Sequence, residues 1–528
     1  MKITFVQPSG LMAVDNYSTI TQPPLGIAYL AAYARQHGHE VHVVDAVGAA
    51  VTRIHPWPKR AKRLVQGLSF DDILARVPPD SEVIGVTCMF THAWPLVREL
   101  MVLLKQAFPR ARLIAGGEHV TALYHQVFEQ TPVEVCVLGE GELSLIEVLG
   151  AFQEGHKDLS AIQGIAYRNA AGAVVRTASR NRIVDPDMLP WPAWDLVDPM
   201  AYLESSTFMG PQAGRSIPML ATRGCPFRCT FCSSPNMWTQ VWKARNPTKV
   251  IEEIEFYMKA YSANDFQFQD LTAIVRKDWI IAFCKELIRR KLNITWSLPV
   301  GTRSEAIDGE VPELLMASGC HHVTYAPESG SEKILKLIEK KVHLDHLEES
   351  TRTSLRAGLK VCLFMIVGFP YEEMEDIRKT LHWIRHMAKV GVHEIAVSTF
   401  VPLPGTQLFG ETNASIPITV DDEYCYWMTG ATSLFTVRSW NPRWSDRRLL
   451  FIKLSALFQF YALSYLYHPD RLWRLAANWF RGKQDTKVDR VIQEFANKLR
   501  VVLKSALPRM LRRDAGKAES AISRRNSA

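Results

Sequence analysis

Cys225, Cys229 and Cys232 fall in one short run, RGCPFRCTFC, while the other six of the nine cysteines are scattered. Three thiols at C-x3-C-x2-C spacing, leaving one loop together, are ligand chemistry. A closed zinc site wants a fourth Cys or His close by. None follows: the next cysteine is Cys284 and the next histidine is His321. Thiolates also hold iron–sulfur cubanes. Three cysteines on a cubane leave one iron open, and an open metal position is where a substrate or cofactor binds. The remaining cysteines (Cys88, Cys136, Cys284, Cys320, Cys362, Cys425) stand alone in apolar runs and read as buried free thiols.

The elements that must position this loop are legible on both sides of it. IPMLATRG carries the cysteines off its end and is the first of six strand-like runs. DFQFQD, ITWSLPVG, HHVTYAPE, VCLFMIVGFP and EIAVSTFVPL follow, separated by helical stretches such as PTKVIEEIEFYMKAY. Six βα units over residues 211–412 predict a partial, TIM-like (β/α)6 barrel with its chemistry at the strand C-terminal ends. Residues 1–150 alternate ITFVQP, HEVHVVDA, SEVIGVTC, RLIAGGEH and VEVCVLGEGE with helices such as PPLGIAYLAAYARQHG. That alternation predicts a doubly wound, Rossmann- or flavodoxin-like parallel sheet, binding its ligand at Gly-rich turns beyond the strand ends. The fold class is therefore α/β.

Between them, residues 151–210 read as a linker with a hairpin turning at Ala171-Gly172 and a Pro-rich stretch, DPDMLPWPAWDLVDP. Residues 413–528 read as a separate C-terminal helical domain with a basic tail. Its run Leu449–Tyr467 is apolar enough to approach a membrane span, but Lys453 and Gln459 interrupt it, which suits a buried or interfacial helix better.

CPFRCTFC resembles the cysteine motif of the radical S-adenosylmethionine (SAM) superfamily. The resemblance covers about residues 215–410. The segment ending at Asp270 resembles the second-strand segment of that superfamily's cobalamin-dependent branch. Arg303 follows the third strand, APESGS carries Glu328, IVGFPYEE carries Gly368, and VPLPGT resembles the sixth-strand end. Residues 1–150 resemble the cobalamin-binding domains of that branch, through QPPLGIAYLAA, VTCMFTHAW, GGEHVTAL and LGEGELSL.

The resemblance implies a [4Fe-4S] cluster on the three cysteines, SAM on its open iron and cobalamin on the first domain. It implies Phe231 and Gly368 against the adenine, Glu328 on the ribose, Arg303 toward the SAM carboxylate, and Asp270 in the same site. Gly116, Gly117, His119, Gly139, Glu140 and Gly141 are the candidate cobalamin contacts, their glycine turns permitting close backbone approach. The D-x-H-x-x-G motif that supplies a cobalt ligand in many cobalamin proteins is absent, Asp45 being followed by Ala46 and Val47. His119 is not assigned to cobalt.

The implied activity is methylation of an unactivated carbon or phosphorus centre of a small molecule. A radical cyclase or ring-rearranging enzyme shares this domain order, and a non-catalytic iron–sulfur or corrinoid sensor is the reading from another class. A flavodoxin- or ferredoxin-type electron donor is expected. The N-terminal MKITFVQPSG runs straight into a strand without a signal-peptide pattern, which points to the cytoplasm. Of the net charge of +8, the stretch from Arg471 onward carries fifteen Lys/Arg against five Asp/Glu. No nucleic-acid motif accompanies it, so weak peripheral membrane contact is the partner it allows.

Overall fold

The computed structural model of the chain describes residues 1–16, 21–205, 210–429, 433–481, 486, 488–489 and 491–492. Most of the basic tail lies outside the described residues.

The first ten strands are β1 (Lys2–Gln7), β2 (Gly10–Ala13), β3 (Glu40–Asp45), β4 (Ile54–Pro56), β5 (Arg63–Gln66), β6 (Val83–Thr87), β7 (Arg112–Gly116), β8 (Val135–Val137), β9 (Ile165–Arg168) and β10 (Val174–Arg176). Seven of them form one sheet in the order β10-β9-β8-β7-β6-β1-β3. The run from β3 to β8 is parallel, as the alternation requires, and its strand order reverses direction between β1 and β6. Helices Leu25–Gln36, Trp94–Ala107, Glu118–Gln130 and Glu142–Gln153 supply its cover. Ligands of such sheets bind where the strand order reverses, outside the carboxyl ends.

Two features differ from the sequence expectation. The hairpin β9-β10 is no linker: it adds two antiparallel strands to the first sheet, β9 pairing with β8. Its residues are too few to show periodicity, whereas Ile165, Ala166 and Tyr167 complete the core beside β8. A three-stranded antiparallel sheet, β2-β5-β4, also stands apart from the βα alternation.

The second half contains β11 (Ser216–Met219), β12 (Thr222–Arg223), β13 (Lys243–Ala244), β14 (Asp265–Phe268), β15 (Thr295–Thr302), β16 (Cys320–Glu328), β17 (Lys360–Val367) and β18 (Glu394–Thr399). Six of these form the expected parallel sheet in the order β11-β14-β15-β16-β17-β18. The expected first strand breaks in two, because β12 turns out to pair antiparallel with β13. The strands of the partial barrel are buried along most of their length, as parallel strands covered on both faces are, and some are continuous apolar runs. KVCLFMIV in β17 is the plainest case.

The C-terminal region does not separate into its own domain in the described residues. Helix Asp446–Tyr467 packs on helix Met374–Val390 and on β18, with Leu449, Ile452, Ala456 and Phe460 joining the barrel core. Lys453, the polar interruption, is buried and donates to the Ser433 carbonyl at 2.6 Å. Ser433 and Thr436 in turn donate to Asp15, which fastens this segment to the first half of the chain.

Backbone geometry makes one glycine of the first sheet irreplaceable. Gly117 has φ +113°, and a Cβ there would lie 2.5 Å from the Cys88 carbonyl oxygen. Gly150 sits inside helix Glu142–Gln153 with open space around it. Gly117→Ala should cost about 2–4 kcal/mol in urea unfolding, whereas Gly150→Ala should gain about 0.5–1 kcal/mol. Equal effects of the two would refute this account of the turn.

Candidate functional site

The cysteine loop runs from β12 to helix Ser234–Trp238 and is held at four places. At its start, the Thr222 N–H and hydroxyl donate to Asp270, the hydroxyl at 2.5 Å, and the Ala221 N–H adds a third bond at 3.3 Å. Next, Arg223 Nη1 meets Glu140 at 3.0 Å and Glu142 at 2.7 Å, both from the turn after β8. Midway, the Thr230 N–H donates to the Ile338 carbonyl, and the Leu408 N–H to the Thr230 carbonyl. At its end, Arg182 Nη1 donates to the Trp238 carbonyl at 2.6 Å while its Nε donates to Glu140 at 2.9 Å. Gly224, at φ +84°, passes so close to the Val241 carbonyl that no Cβ fits.

These anchors present Cys225, Cys229 and Cys232 as free, half-buried thiols. Burial pushes all three up, Cys232 to about 12, while the positive charge of Lys340 opposes that shift at each of them. Lys340 is itself paired with Glu328 at 3.0 Å. Glu328 ends β16 with φ +71°, a backbone that side-chain-bearing residues rarely adopt. Arg303, following β15, stacks its guanidinium on Phe227 of the loop at 3.9 Å and pairs with Glu305 at 2.6 Å. Phe231 meets Phe369 edge-on at 5.7 Å, and Phe369 meets Phe400 at 5.3 Å. The thiols, two cations with their two carboxylate partners and an aromatic wall therefore gather at one end of the barrel.

The turn after β17 is built by Glu372. The Gly368 and Phe369 N–H groups donate to its Oε2 at 2.6 and 3.1 Å, and Asn441 Nδ2 donates to the Phe369 and Glu372 carbonyls. Burial raises this carboxyl to about 8 despite the two N–H donors. Gly368, at φ +94°, is where Leu449 of the C-terminal helix comes closest.

Two sequence patterns identify what this arrangement serves. The radical SAM superfamily pattern matches residues 219–384, and the B12 binding domain pattern matches residues 16–149. The chain carries a radical SAM domain behind a B12-binding domain. Over 411 residues it is 28% identical to an uncharacterized methyltransferase of Pyrococcus horikoshii, covering 78% of this chain and 82% of that one. It is 26% identical over 437 residues to the anaerobic magnesium-protoporphyrin IX monomethyl ester cyclase of Rubrivivax gelatinosus, covering 80% and 72%. Its fold is similar to that of the radical SAM methyltransferase TsrM from Kitasatospora setae, solved with cobalamin and a [4Fe-4S] cluster, at a TM-score of 0.61, 18% identity and 78% coverage of each chain.

The cofactors that the two domain matches imply are a [4Fe-4S] cluster, SAM and cobalamin. The donor set fits the cluster. Three free, half-buried thiols in one loop, with no further Cys before Cys284 and no His before His321, are the donors of a cubane that keeps one iron open. Beyond the exits of β1 and β6, where the strand order reverses, Met89 and Phe90 stand exposed.

Other candidate residues are occupied by structure. His119 is fully buried against Trp94, ring centroids 4.5 Å apart, with Nδ1 3.2 Å from the Thr91 hydroxyl, and burial lowers it to about 3. Glu140 is taken up by Arg182 and Arg223, and Asp270 by the backbone of the loop. Gly116 ends β7, Gly139 is where helix Ser234–Trp238 docks through Met237, and Gly141 packs near Leu30. Asp45 receives Tyr202 Oη at 2.7 Å and the Val47 and Gly48 N–H groups, so it caps a turn. Sequence reasoning missed Lys340, Arg182, Arg223 and Glu142. Arg223 carried a signal through its place in the cysteine run, and Glu142 through the segment LGEGELSL.

Two outcomes follow. Arg223→Met leaves Glu140 and Glu142 buried beside too little positive charge, and should cost about 3–5 kcal/mol in urea unfolding while lowering iron retention. Unchanged stability would show the network to be dispensable. Glu372 is raised in the folded state, so its contribution is full below the ordinary carboxyl range near 4.5 and is lost as pH rises through about 8. Glu372→Gln keeps an acceptor for the two N–H groups and removes the titration. Its stability relative to the parent should therefore climb between pH 5 and 9, and parallel pH profiles would refute the assignment.

Proposed function

We propose that this radical SAM enzyme is a cobalamin-dependent methyltransferase, acting on an unactivated carbon or phosphorus centre of a natural product, lipid or cofactor precursor. One observation carries the reading. Arg223, two residues before Cys225, is held by carboxylates of the turn that closes the B12-binding sheet. The cluster loop and the cobalamin edge are thereby one assembly, as a substrate that must meet both cofactors requires. The resemblance over most of both chains to a methyltransferase supports it.

When bound, the cluster supplies the electron that cleaves SAM, and the corrinoid supplies a methyl group to the substrate. The chain's own part is to bind, orient and exclude water. Cys225, Cys229 and Cys232 would hold the cluster, with Lys340 favouring their thiolate forms, Arg303 doing so at Cys225 and Cys229, and Arg303 directed to the SAM carboxylate. Phe231 and Phe369, with Gly368 in the same turn, form the wall for the adenine. Glu328, fixed by Lys340, addresses the ribose hydroxyls, and Asp270 acts by holding the loop that carries the cysteines. Gly116, Gly117, Gly139 and Gly141 let the backbone approach the corrinoid, and Met89 and Phe90 give it an apolar seat. Glu140 fastens that edge to the cluster loop, and His119 stays inside the sheet and off the cobalt. A flavodoxin- or ferredoxin-type protein delivers the electron.

The similarity to a cyclase favours a second reading, an oxidative radical cyclase on the same scaffold. Product analysis separates them. A methyltransferase forms product together with equal amounts of 5′-deoxyadenosine and S-adenosylhomocysteine, and label from the SAM methyl group enters the product. A cyclase forms 5′-deoxyadenosine without product-linked S-adenosylhomocysteine and without label. Replacing all three cysteines by Ala should abolish 5′-deoxyadenosine formation, and its persistence would overturn the cluster assignment as well.

A further inference from the structure

Helix Asp446–Tyr467 and its successor Asp470–Arg481 each divide into a committed face and an open one. Inward, Leu449, Ile452 and Phe460 sit in the barrel core and Lys453 reaches the Ser433 carbonyl. Arg471 donates to the Gly391 and Val392 carbonyls at 2.5 and 2.7 Å, fixing the rotation of the second helix. Outward, Phe451 (73% exposed), Phe458 (74%) and Leu466 recur at seven- and eight-residue spacing along one side of the first helix. Trp473 (80%) and Phe480 (87%) do the same on the second. Single exposed apolar side chains are ordinary, but a row of five on consecutive helices, four of them aromatic, marks an interaction surface.

Charge decides what covers it. Arg447, Arg448, Arg474 and Arg481 accompany the aromatics on the same two helices, and residues 482–528 add twelve Lys/Arg against five Asp/Glu. Aromatic and leucine side chains on one face with arginines beside them are the composition of a helix lying in a membrane interface. The projecting side chains suit a fluid lipid layer that closes around them, where a protein partner would need matching pockets. The first helix is long and apolar enough to cross a membrane. Its inner face is already committed to the barrel and to buried Lys453, which leaves it to lie along a surface.

We infer that these two helices seat the enzyme on an anionic bilayer. Phe451, Phe458, Leu466, Trp473 and Phe480 enter the headgroup boundary, and the basic residues meet the lipid phosphates. The test is flotation of the full-length protein with phosphatidylglycerol-containing vesicles and with pure phosphatidylcholine vesicles. The protein should float with the anionic vesicles, with partition falling about ten-fold between about 0.1 and 0.5 M salt. Trp473→Glu/Phe480→Glu should lower partition at least about ten-fold with unchanged circular dichroism and iron content. Failure of the parent protein to float on anionic vesicles would overturn the inference, as would a double variant that floats equally well. A lipid-free dimer that the double variant dissociates would also overturn it, assigning the face to a second copy of the chain.

Discussion

The architecture turns on a buried guanidinium. Arg223 leaves the first barrel region two residues before the first cysteine and ends between Glu140 and Glu142 of the other sheet. Arg182, from the segment after the hairpin, shares Glu140 and reaches across to the Trp238 carbonyl at the far end of the cysteine loop. Two arginines and two carboxylates balance in charge, and each is nearly enclosed. Such a network gives little net stability against apolar packing, but breaking any member leaves an unpaired buried charge. Its return is register: the loop cannot slide or rotate relative to the B12-binding sheet without uncovering a charge.

That constraint explains why the loop has no regular structure and yet is fixed. Its thiols are free and half-open, as they must be to take irons. Besides its own turn, in which the Cys232 N–H donates to the Cys229 carbonyl, its restraints come from neighbours. Asp270 holds the backbone before the cysteines, Ile338 and Leu408 hold it between them, and Arg182 holds it after them. Lys340 serves twice, supplying positive charge to the thiols and pairing with Glu328. The left-handed backbone at Glu328 is tolerated in the midst of these contacts, as strained residues are where surroundings over-determine them.

Much of this was legible in the sequence for definite reasons. Strand-like runs alternating with helical stretches marked six barrel strands and five of the first sheet, and the cysteine spacing pointed to its chemistry. The hairpin Ile165–Arg168 with Val174–Arg176 was read as a hairpin but assigned to a linker, because its pairing with β8 is defined only in the folded chain. Glu140 and Asp270 were expected as cofactor contacts, and their partners in the structure, Arg223 and the Thr222 backbone, are defined only once the chain closes. A resemblance motif marks where a residue sits, not which neighbour occupies its carboxylate. Lys340 had no signal at all, lying in a run of lysines that reads as a solvated face.

The C-terminal helix shows the same logic extended to the outer wall. A six-stranded barrel remains open beside β18, and helix Asp446–Tyr467 packs there, against β18 and its preceding helix. The contact reaches the chemistry, because Leu449 fills the space over Gly368 and Asn441 clamps the Phe369 and Glu372 carbonyls. Phe369 then faces Phe231 between the second and third cysteines. A displacement of the outer helix must move Leu449, then the turn, then the aromatic wall of the cluster, since packed cores shift between discrete arrangements and do not deform smoothly. Whatever engages the exposed aromatic side of that helix therefore acts on an element two contacts away from the iron-binding loop.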